Sequence, residues 1–485
     1  MKGIADMQGT RLGKDVVVIG AGISGLSTAY RLHKAGLDVL VLEKSASVGG
    51  ALQTEKRDGF LIDLGPNSTL DTSPEISGFV DELGLAERRV NANSSANRRY
   101  ILRDGRLCPL PTSPPAFLSS KLFSWRAKIR LFAEPFIRPA PQDKEETIAE
   151  FVERRLGREF LDYAINPFIA GVYAGDPQKL SVRSAVAKIY ALEKKYGSLI
   201  KGAIKGARER KKRAETDKTK AQLFSFRDGM IELPATLQKA LAERVLTECA
   251  VLQVSQSSEV SGTYEVAFSQ DGVVRRAMTR SVIFTTPAFV TAELLQNFSA
   301  SPADVLKEMT YPPVVMVFLG FKNELKCRPL DGFGFLVPEV EQRKILGCIW
   351  SSTIFPERAP AGGVALTTFV GGMRQPELAE LPEDELAHLV QEELKDLIGL
   401  QTLPDVIKVK RWSRAIPQYE LGHQSRIETL TEFEKKCPGL FIAGNFRGGI
   451  SVGDCIIQSA RTANRVQEFV GQSTARVREK RVSTE

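Results

Sequence analysis

The chain has 485 residues, 43% of them hydrophobic, which suits two or three domains with large cores; no run of about 18 apolar residues occurs, so no transmembrane helix is predicted. Six scattered cysteines without a CxxC pair and only three histidines argue against disulfides, a metal site and imidazole-based catalysis, so we expect a bound cofactor to carry the chemistry. The net charge of +8 arises from one segment, and the first residues resemble neither a signal peptide nor a transit peptide, so a cytoplasmic protein is expected.

A dinucleotide-binding turn is predicted at the start of the chain. Residues 15–19, DVVVI, indicate a buried parallel strand, and GAGISG follows with Gly20, Gly22 and Gly25 before a helical apolar pattern. These glycines would allow a tight turn, close approach of the backbone to a pyrophosphate, and close packing of the helix on the strand. A second strand ends at Glu43, about 20 residues beyond the turn, where an acid would accept hydrogen bonds from ribose hydroxyls. A glycine turn with the purely structural role of packing a helix on a sheet would not explain an acid at this position.

The segment after Glu43 favours FAD over NAD as the dinucleotide. Gly49 and Gly50 stand in SVGGALQT, and DGFLIDLGPNS follows. This order resembles the glycine doublet of the flavin-dependent amine oxidase and desaturase superfamily. The resemblance implies that the chain doubles back there beside the FAD phosphates.

The middle of the chain alternates between sheet and helix patterns. In chain order, the sequence predicts a hairpin over 97–111 with its turn at Asp104 and Gly105, helices over about 115–210, a strand, turn and helix over 224–245, and a β-meander over 265–287. The meander would rejoin the nucleotide-binding core. Apolar strands at 314–321, 333–338, 345–350 and 364–370 predict a separate mixed or antiparallel sheet, and a helix follows at 382–400.

A basic segment lies between Lys194 and Lys220. It holds eleven Lys and Arg against three acidic residues, and removing it from the totals of 66 basic and 58 acidic residues leaves 55 of each. It could be a solvated helix and loop, or it could bind anionic lipid headgroups. The attraction to such headgroups contributes roughly 1 kcal/mol of binding free energy for each basic residue near the surface. Nucleic acid is not expected as a partner, because aromatic residues are not interleaved with these charges.

The C-terminal segment LFIAGNFRGGISVGDC, residues 440–455, repeats the plan of a strand, a glycine-rich turn and a helix. The positive N-terminal end of that helix would favour the negative charge of a reduced flavin ring. The residues expected at this contact are Gly444, Gly449, Val452, Gly453 and Asp454, which would belong to the same FAD as the N-terminal turn. Because Cys455 lies inside the predicted helix, we expect noncovalent FAD, whereas many amine oxidases attach the flavin through a cysteine near this motif.

The predicted fold is α/β, with a Rossmann-like FAD-binding domain interleaved with a mixed-sheet substrate domain and a helical membrane-association insertion. The predicted parts are 1–85 (FAD-binding), 86–110 (substrate), 111–212 (helical insertion), 213–300 (strands of the FAD and substrate domains), 301–405 (substrate) and 406–485 (FAD-binding and C-terminal tail).

Eight motifs between about residues 15 and 468 resemble the protoporphyrinogen oxidase family. They are GPNS at 65–68, NRRYI at 97–101, GVYAGDP at 171–177, LEKKYGSLIKGAIKG at 192–206, GFGFLVP at 332–338, WSSTIFPERAP at 350–360, TTFVGG at 367–372 and WSRAIPQYELGH at 412–423. The resemblance implies a three-domain flavoprotein that oxidises protoporphyrinogen IX in haem or tetrapyrrole biosynthesis. Three hydride transfers to flavin N5 would remove six electrons, and three O2 would become H2O2.

The resemblance also implies substrate-binding residues. Arg99 in NRRYI matches the family's propionate-binding arginine, and a guanidinium suits a carboxylate. Strand alternation sends Arg98 to the opposite face, where we expect a surface arginine. The other matches are Asn67 and Gly175, beside flavin and substrate, and Leu336 and Phe369, which match apolar walls around the macrocycle but could be ordinary core residues.

No catalytic acid, base or metal ligand is predicted. Electron-rich pyrroles would stabilise the cation left by hydride loss, and proton loss from nitrogen needs no strong base, so the protein would act by positioning. The expected partners are the porphyrinogen, O2 and an anionic membrane surface, while the oligomeric state, a homodimer included, stays open. Three alternatives remain: oxidation of coproporphyrinogen III, the reaction of another flavin amine oxidase or desaturase, and a non-enzymatic porphyrin carrier.

Overall fold

The computed structural model describes residues 11–141, 144–212, 221–296 and 298–482, so the last part of the basic segment, 213–220, lies outside the described residues. The described helices are, in chain order, α1 (Ile23–Lys34), α2 (Pro74–Glu82), α3 (Pro114–Ser119), α4 (Trp125–Phe132), α5 (Ile148–Arg155), α6 (Arg158–Phe160), α7 (Asn166–Tyr173), α8 (Val182–Ala185), α9 (Ala187–Tyr196), α10 (Leu199–Lys212), α11 (Glu232–Leu241), α12 (Ala288–Leu295), α13 (Ala300–Lys307), α14 (Ser351–Ile354), α15 (Glu383–Ile398), α16 (His423–Lys436) and α17 (Val452–Val482). Within these ranges, no helix is both long enough and apolar enough to cross a bilayer.

The first sheet is the nucleotide-binding core. Its strands, in spatial order, are β10 (Val245–Leu246), β2 (Val39–Leu42), β1 (Arg11–Ile19), β13 (Val273–Phe284), β12 (Tyr264–Gln270) and β11 (Cys249–Gln256), and β19 (Leu440–Ile442) also pairs with β13. The pairs of β1 with β2 and β13, of β10 with β2, and of β19 with β13 are parallel. Strands β12 and β13 lie in the range of the predicted meander and rejoin the core as expected, whereas β11, which pairs with β12, precedes that range and was not predicted. A Rossmann-like α/β fold is therefore confirmed.

Both faces of this sheet are buried, which explains the unbroken apolar run in β1. Val16 and Val18 pack into a core that contains α1, α11 and α17, whereas Val17 and Ile19 pack into a second core on the other face. A parallel strand covered on both faces has this pattern because successive side chains alternate between faces. The first core also packs α17 beside α1, so the two ends of the described chain are neighbours.

The second sheet is mixed, as predicted, and has strands from distant parts of the chain. In spatial order they are β18 (Val406–Trp412), β14 (Val314–Phe321), β17 (Val364–Gly371), β16 (Gly347–Trp350), β15 (Gly334–Leu336), β7 (Arg99–Arg103) and β8 (Arg106–Pro109). Only β7 and β15 pair in parallel among the pairs of this sheet. The predicted boundary at residue 405 was wrong, because β18 completes this sheet and does not belong with the last FAD-binding part.

Two small sheets connect the parts. They are β3 (Thr54–Arg57) with β4 (Phe60–Asp63), and β5 (Thr69–Leu70) with β9 (Leu223–Phe226) and β6 (Arg89–Asn91). The predicted hairpin is β7 and β8, and its turn residues Asp104 and Gly105 have φ values of 51° and 70°. Positive φ at both central residues matches the twist of the hairpin strands.

The helical insertion, α3–α10, is organised around a buried charge cluster. Arg155 is fully buried and pairs with Glu134 and Glu193. Glu134 also accepts a hydrogen bond from the backbone N–H of Leu199 at 2.8 Å and so caps the start of α10. The cluster therefore joins α5, α9 and α10 to the turn before Phe136.

Candidate active site

The N-terminal glycine turn is shaped for close backbone approach. Gly20 has φ +102°, and a Cβ added to Gly25 would lie 2.0 Å from the carbonyl oxygen of Gly20, so no larger residue fits there. A Cβ added to Gly22 would meet nothing within 4 Å, which leaves an open cradle at the start of α1. Helix α1 has no side-chain N-cap, so its first N–H groups and its positive dipole end could receive a phosphate.

Glu43 and the glycine doublet lie against this turn. The Glu43 carboxylate accepts hydrogen bonds from the N–H of Ala21 at 2.7 Å and the N–H of Ser45 at 2.8 Å. The N–H of Gly49 donates to the carbonyl oxygen of Ala21 at 2.8 Å, and Gly22 and Gly49 form a parallel bridge. A Cβ on Gly50 would lie 3.4 Å from the Cα of Gly22. The structure thus brings together the predicted pyrophosphate glycines, the ribose acid and the doublet.

The C-terminal turn, defined here as residues 444–454, emerges from the same sheet edge. Thr286, directly after β13, would lie 3.2 Å from a Cβ on Gly20 through its Cγ2, and 3.6 Å from a Cβ on Gly444 through its carbonyl oxygen. Gly444 and Gly449 have φ values of +143° and +129°. The two glycine turns are therefore neighbours, with Thr286 between them.

The start of α17 is fitted to the N-terminal part of the chain. A Cβ on Gly453 would lie 2.8 Å from Cδ1 of Ile76 in α2, and Val452 is buried. Asp454 accepts from the hydroxyl of Ser451 at 2.6 Å. Burial raises the pKa of Cys455 to about 11, so its thiol stays protonated and is a poor nucleophile.

Two neighbouring arginines, Arg98 directly before β7 and Arg99 at its start, have different surroundings. Arg98 pairs with Asp331 at 2.5 Å on an exposed surface. Arg99 lies with its guanidinium carbon 5.2 Å from the centroid of the Phe333 ring, and no carboxylate of the described residues pairs with it. Arg99 is therefore a cation that could bind an anionic group, while Arg98 is already engaged.

Strand register brings Arg99, Leu336 and Phe369 to one face of the second sheet. Gly347 of β16 pairs with Leu336 on one side and with Phe369 on the other, so these two side chains project to the same face. Arg99 lies on that face as well, since Ile101, two residues later, pairs with Leu336. A cation and two apolar side chains therefore share one surface.

Asn67 and Gly175 lie beside this face. Asn67 lines a cavity of about 10 Å³ together with Thr367, which is two residues before Phe369 on the same strand, and with the buried pair Asp63 and Arg358. Burial raises the pKa of Asp63, and the guanidinium opposes this shift. Gly175 is buried, and a Cβ there would lie 2.5 Å from Oε1 of Gln418.

Sequence reasoning missed two residues that hold the C-terminal turn. The Arg447 guanidinium forms hydrogen bonds of 2.7 and 3.1 Å with the carboxylate of Glu434. The hydroxyl of Tyr419, which lies in the motif WSRAIPQYELGH, contacts the backbone of Asn445 and Gly449. The motif drew attention to Tyr419, but only the fold shows its partners.

The open glycine cradle, uncapped helix and nearby carboxylate fit a dinucleotide, and the second glycine turn fits an extended one such as FAD. This is the site of a flavin-dependent oxidoreductase, and the chain belongs to the flavin-containing amine oxidoreductase family, whose model matches residues 23–467. Membership of this family confirms that the cofactor is a flavin, and the dinucleotide-binding turn indicates that this flavin is FAD.

Known proteins similar to this chain include porphyrinogen oxidases. Protoporphyrinogen oxidase 2, chloroplastic/mitochondrial, of Arabidopsis thaliana is 35% identical over 94% of each chain. Coproporphyrinogen III oxidase of Bacillus subtilis (strain 168) is 32% identical over 92% of this chain and 96% of its own length. A solved structure from Exiguobacterium sp. 255-15, provisionally described as a protoporphyrinogen oxidase, has a TM-score of 0.79 at 24% identity, covering 94% of this chain and 99% of that chain, which supports the fold.

Proposed function

We propose that this chain uses FAD to oxidise protoporphyrinogen IX to protoporphyrin IX in tetrapyrrole biosynthesis. The observation that carries the proposal is the guanidinium of Arg99, which pairs with no carboxylate in the described part of the chain and lies on the same face as Leu336 and Phe369. It occurs in a chain 35% identical to a plant protoporphyrinogen oxidase. A macrocycle with propionate groups matches this surface, because a guanidinium binds carboxylates and apolar side chains cover ring faces.

The residues of the chain act by binding and positioning. FAD, when bound, supplies the two-electron acceptor, and O2 is the proposed final acceptor. The porphyrinogen loses six hydrogens in three two-electron steps, and three O2 take them up as three H2O2. Arg99 would orient a propionate, while Leu336 and Phe369 hold the ring. Asp63 is engaged by Arg358 and is given no role in the reaction.

Arg98 and Arg99 provide a matched test. Arg99→Ala should raise the KM for protoporphyrinogen IX by about tenfold to a hundredfold, the range for loss of a charge-assisted hydrogen bond, with a smaller effect on kcat. Arg98→Ala removes an equal side chain from the opposite face and should leave KM within about twofold. Porphyrin fluorescence follows the reaction. Equal KM values for the two variants would contradict the assignment of Arg99.

Coproporphyrinogen III is the second candidate substrate, favoured by the 32% identity to a coproporphyrinogen III oxidase. This substrate carries more propionates and therefore needs more cations at the site. Measuring kcat/KM for both porphyrinogens with one preparation decides between them. Inactivity on both would refute the porphyrinogen proposal while leaving the family assignment intact.

We also propose that the helical insertion docks on an anionic membrane surface. An apolar patch, defined as Trp125, Ile129, Phe132 and Phe136, follows one side of α4 and the next turn, and Phe136 is 87% exposed. Lys201 of α10 donates to the carbonyl oxygen of Pro135 at 3.1 Å, so the basic helix adjoins this patch. Apolar and aromatic side chains beside lysines are typical of surfaces that bind anionic lipid interfaces.

Vesicle flotation tests this docking. Trp125→Ser with Phe136→Ser should abolish binding to vesicles that contain anionic lipid, whereas Leu403→Ser, at a distant residue that is 79% exposed, should not change it. Wild-type binding should fall at high salt. Binding that is unchanged in the patch variant and equal on anionic and neutral vesicles would refute the proposal.

A further inference from the structure

Tyr419 contacts the C-terminal turn at two backbone groups. Its hydroxyl donates to the carbonyl oxygen of Asn445 at 2.6 Å and accepts from the N–H of Gly449 at 3.0 Å. The side chain is buried, and its ring stacks on His423 with centroids 4.1 Å apart. Because a phenol has a single proton to donate, that proton is committed to the turn.

These two hydrogen bonds join the ends of segment 445–449, whose backbone has positive φ angles at two glycines. Gly448 and Gly449 have φ values of +92° and +129°. Arg447 holds the middle of the segment through Glu434. Without the Tyr419 hydroxyl, the Asn445 carbonyl and the Gly449 N–H lose their common partner. The segment then keeps the anchor at Arg447, the buried Phe446 side chain and the 3.4 Å hydrogen bond from Gln458 to the Gly448 carbonyl, but its two ends are no longer joined.

The chain around Tyr419 also contacts the elements near Gly175. The carbonyl oxygen of Tyr419 accepts from the N–H of Ser181 at 2.8 Å. The side-chain amide of the preceding residue, Gln418, donates through Nε2 to the carbonyl oxygen of Tyr173 at 2.8 Å. Two consecutive residues therefore touch the C-terminal turn on one side and the loop that carries Gly175 on the other.

We propose that Tyr419 is a positioning residue that fixes the C-terminal turn in the conformation that binds FAD, and that residues 418–419 join this turn to the loop at Gly175. The inference rests on the proposed contact between FAD and residues 444–454. Tyr419 acts through the backbone of Asn445 and Gly449 and has no role of its own in the reaction.

The test compares Tyr419→Phe with Tyr264→Phe. Each variant keeps a buried ring and loses a hydroxyl that bonds to a backbone carbonyl, at Asn445 in the first and at Pro438, outside the turn, in the second. FAD dissociation constants of the purified holoenzymes are measured by flavin fluorescence on dilution, with the flavin reduction potential and the melting temperature. Tyr419→Phe should raise the dissociation constant about tenfold and make the potential more negative, because the helix end that favours reduced flavin is less well placed. Tyr264→Phe should change the dissociation constant by no more than about twofold and leave the potential unchanged.

Gly449→Ala separates the role of Tyr419 from the proposed contact between FAD and the C-terminal turn. This variant should distort the turn directly, because an added Cβ would lie 2.5 Å from the Asp454 carboxylate and φ is +129°. If Gly449→Ala weakens FAD binding and Tyr419→Phe does not, the role of Tyr419 is wrong and the proposed FAD contact stands. If neither variant weakens binding, the FAD contact itself is wrong. Equal weakening in Tyr419→Phe and Tyr264→Phe would indicate a general loss of stability and would also overturn the inference.

Discussion

Acidification is expected to destabilise the fold through His423, the buried ring that stacks on Tyr419. Burial and the charge of Arg426 lower the pKa of His423 from 6.5 to about 4, while a backbone hydrogen bond to Phe446 and the charge of Glu145 oppose the shift. Because the folded pKa lies below the unfolded value, the unfolded chain binds more protons between these two values, and stability falls as the pH falls through that window. With these pKa values, acidification from about pH 7 to about pH 5 costs about 2 kcal/mol.

His423→Phe isolates this contribution because it keeps the stacked ring and removes the titrating group. Its free energy of unfolding should fall by about 2 kcal/mol less than that of the wild type between about pH 7 and pH 5. Urea unfolding followed by tryptophan fluorescence measures both values. His388→Phe, at an exposed position, should follow the wild type. A His423→Phe variant that loses as much stability on acidification as the wild type would refute the reasoning.

Three further predictions test the cofactor site and the insertion. Gly25→Ala should purify without FAD, because its Cβ would lie 2.0 Å from the Gly20 carbonyl oxygen, whereas Gly13→Ala, with nothing within 4 Å, should retain the absorbance of bound flavin. Arg155→Met should destabilise the protein by about 3–5 kcal/mol in urea unfolding, because it removes the guanidinium that pairs with the fully buried Glu134 carboxylate, while Lys435→Met, which breaks an exposed pair, should cost at most about 1 kcal/mol. Acid precipitation should release all of the flavin, because Cys455 is a buried, protonated thiol; colour retained on the polypeptide would show covalent attachment.

Local patterns in the sequence were enough to predict most of the elements near the site. The strand before GAGISG, the hairpin turn at Asp104 and Gly105, and the two strands within 265–287 were predicted correctly, because each depends on neighbouring residues. The third strand of that antiparallel run, β11, was missed. The alternation expected for NRRYI also predicted different surroundings for Arg98 and Arg99, although β7 itself begins at Arg99. The boundary at residue 405 failed for the opposite reason: nothing in the sequence of β18, VIKVKRW, indicates which sheet this strand joins.

Other features depend on contacts between distant residues and could not be predicted. Arg155 stands in the amphipathic segment TIAEFVERRLG, where a charged residue predicts a solvated face, yet it is fully buried between Glu134 and Glu193. Tyr419 lies 26 residues before Asn445 in the chain, and no periodicity links the two. Both cases need the folded arrangement of helices and turns, because a buried charge or hydroxyl is stable only where its partners are already in place.

The topology of β13 explains why one cofactor suits both ends of the chain. β1 and β19 both run parallel to β13, so the turns that follow all three strands leave the sheet at one edge. Adjacent strands are about 4.8 Å apart, which places β1 and β19 roughly 10 Å from one another. Two dinucleotides do not fit side by side in that distance, whereas one extended molecule can contact both turns. Because FAD would bind the folded arrangement of both turns and not the unfolded chain, its binding also stabilises the pairing of β1 and β19 with β13. In the proposed arrangement, the helix dipole of α1 would act on the pyrophosphate and that of α17 on the flavin ring of the same molecule.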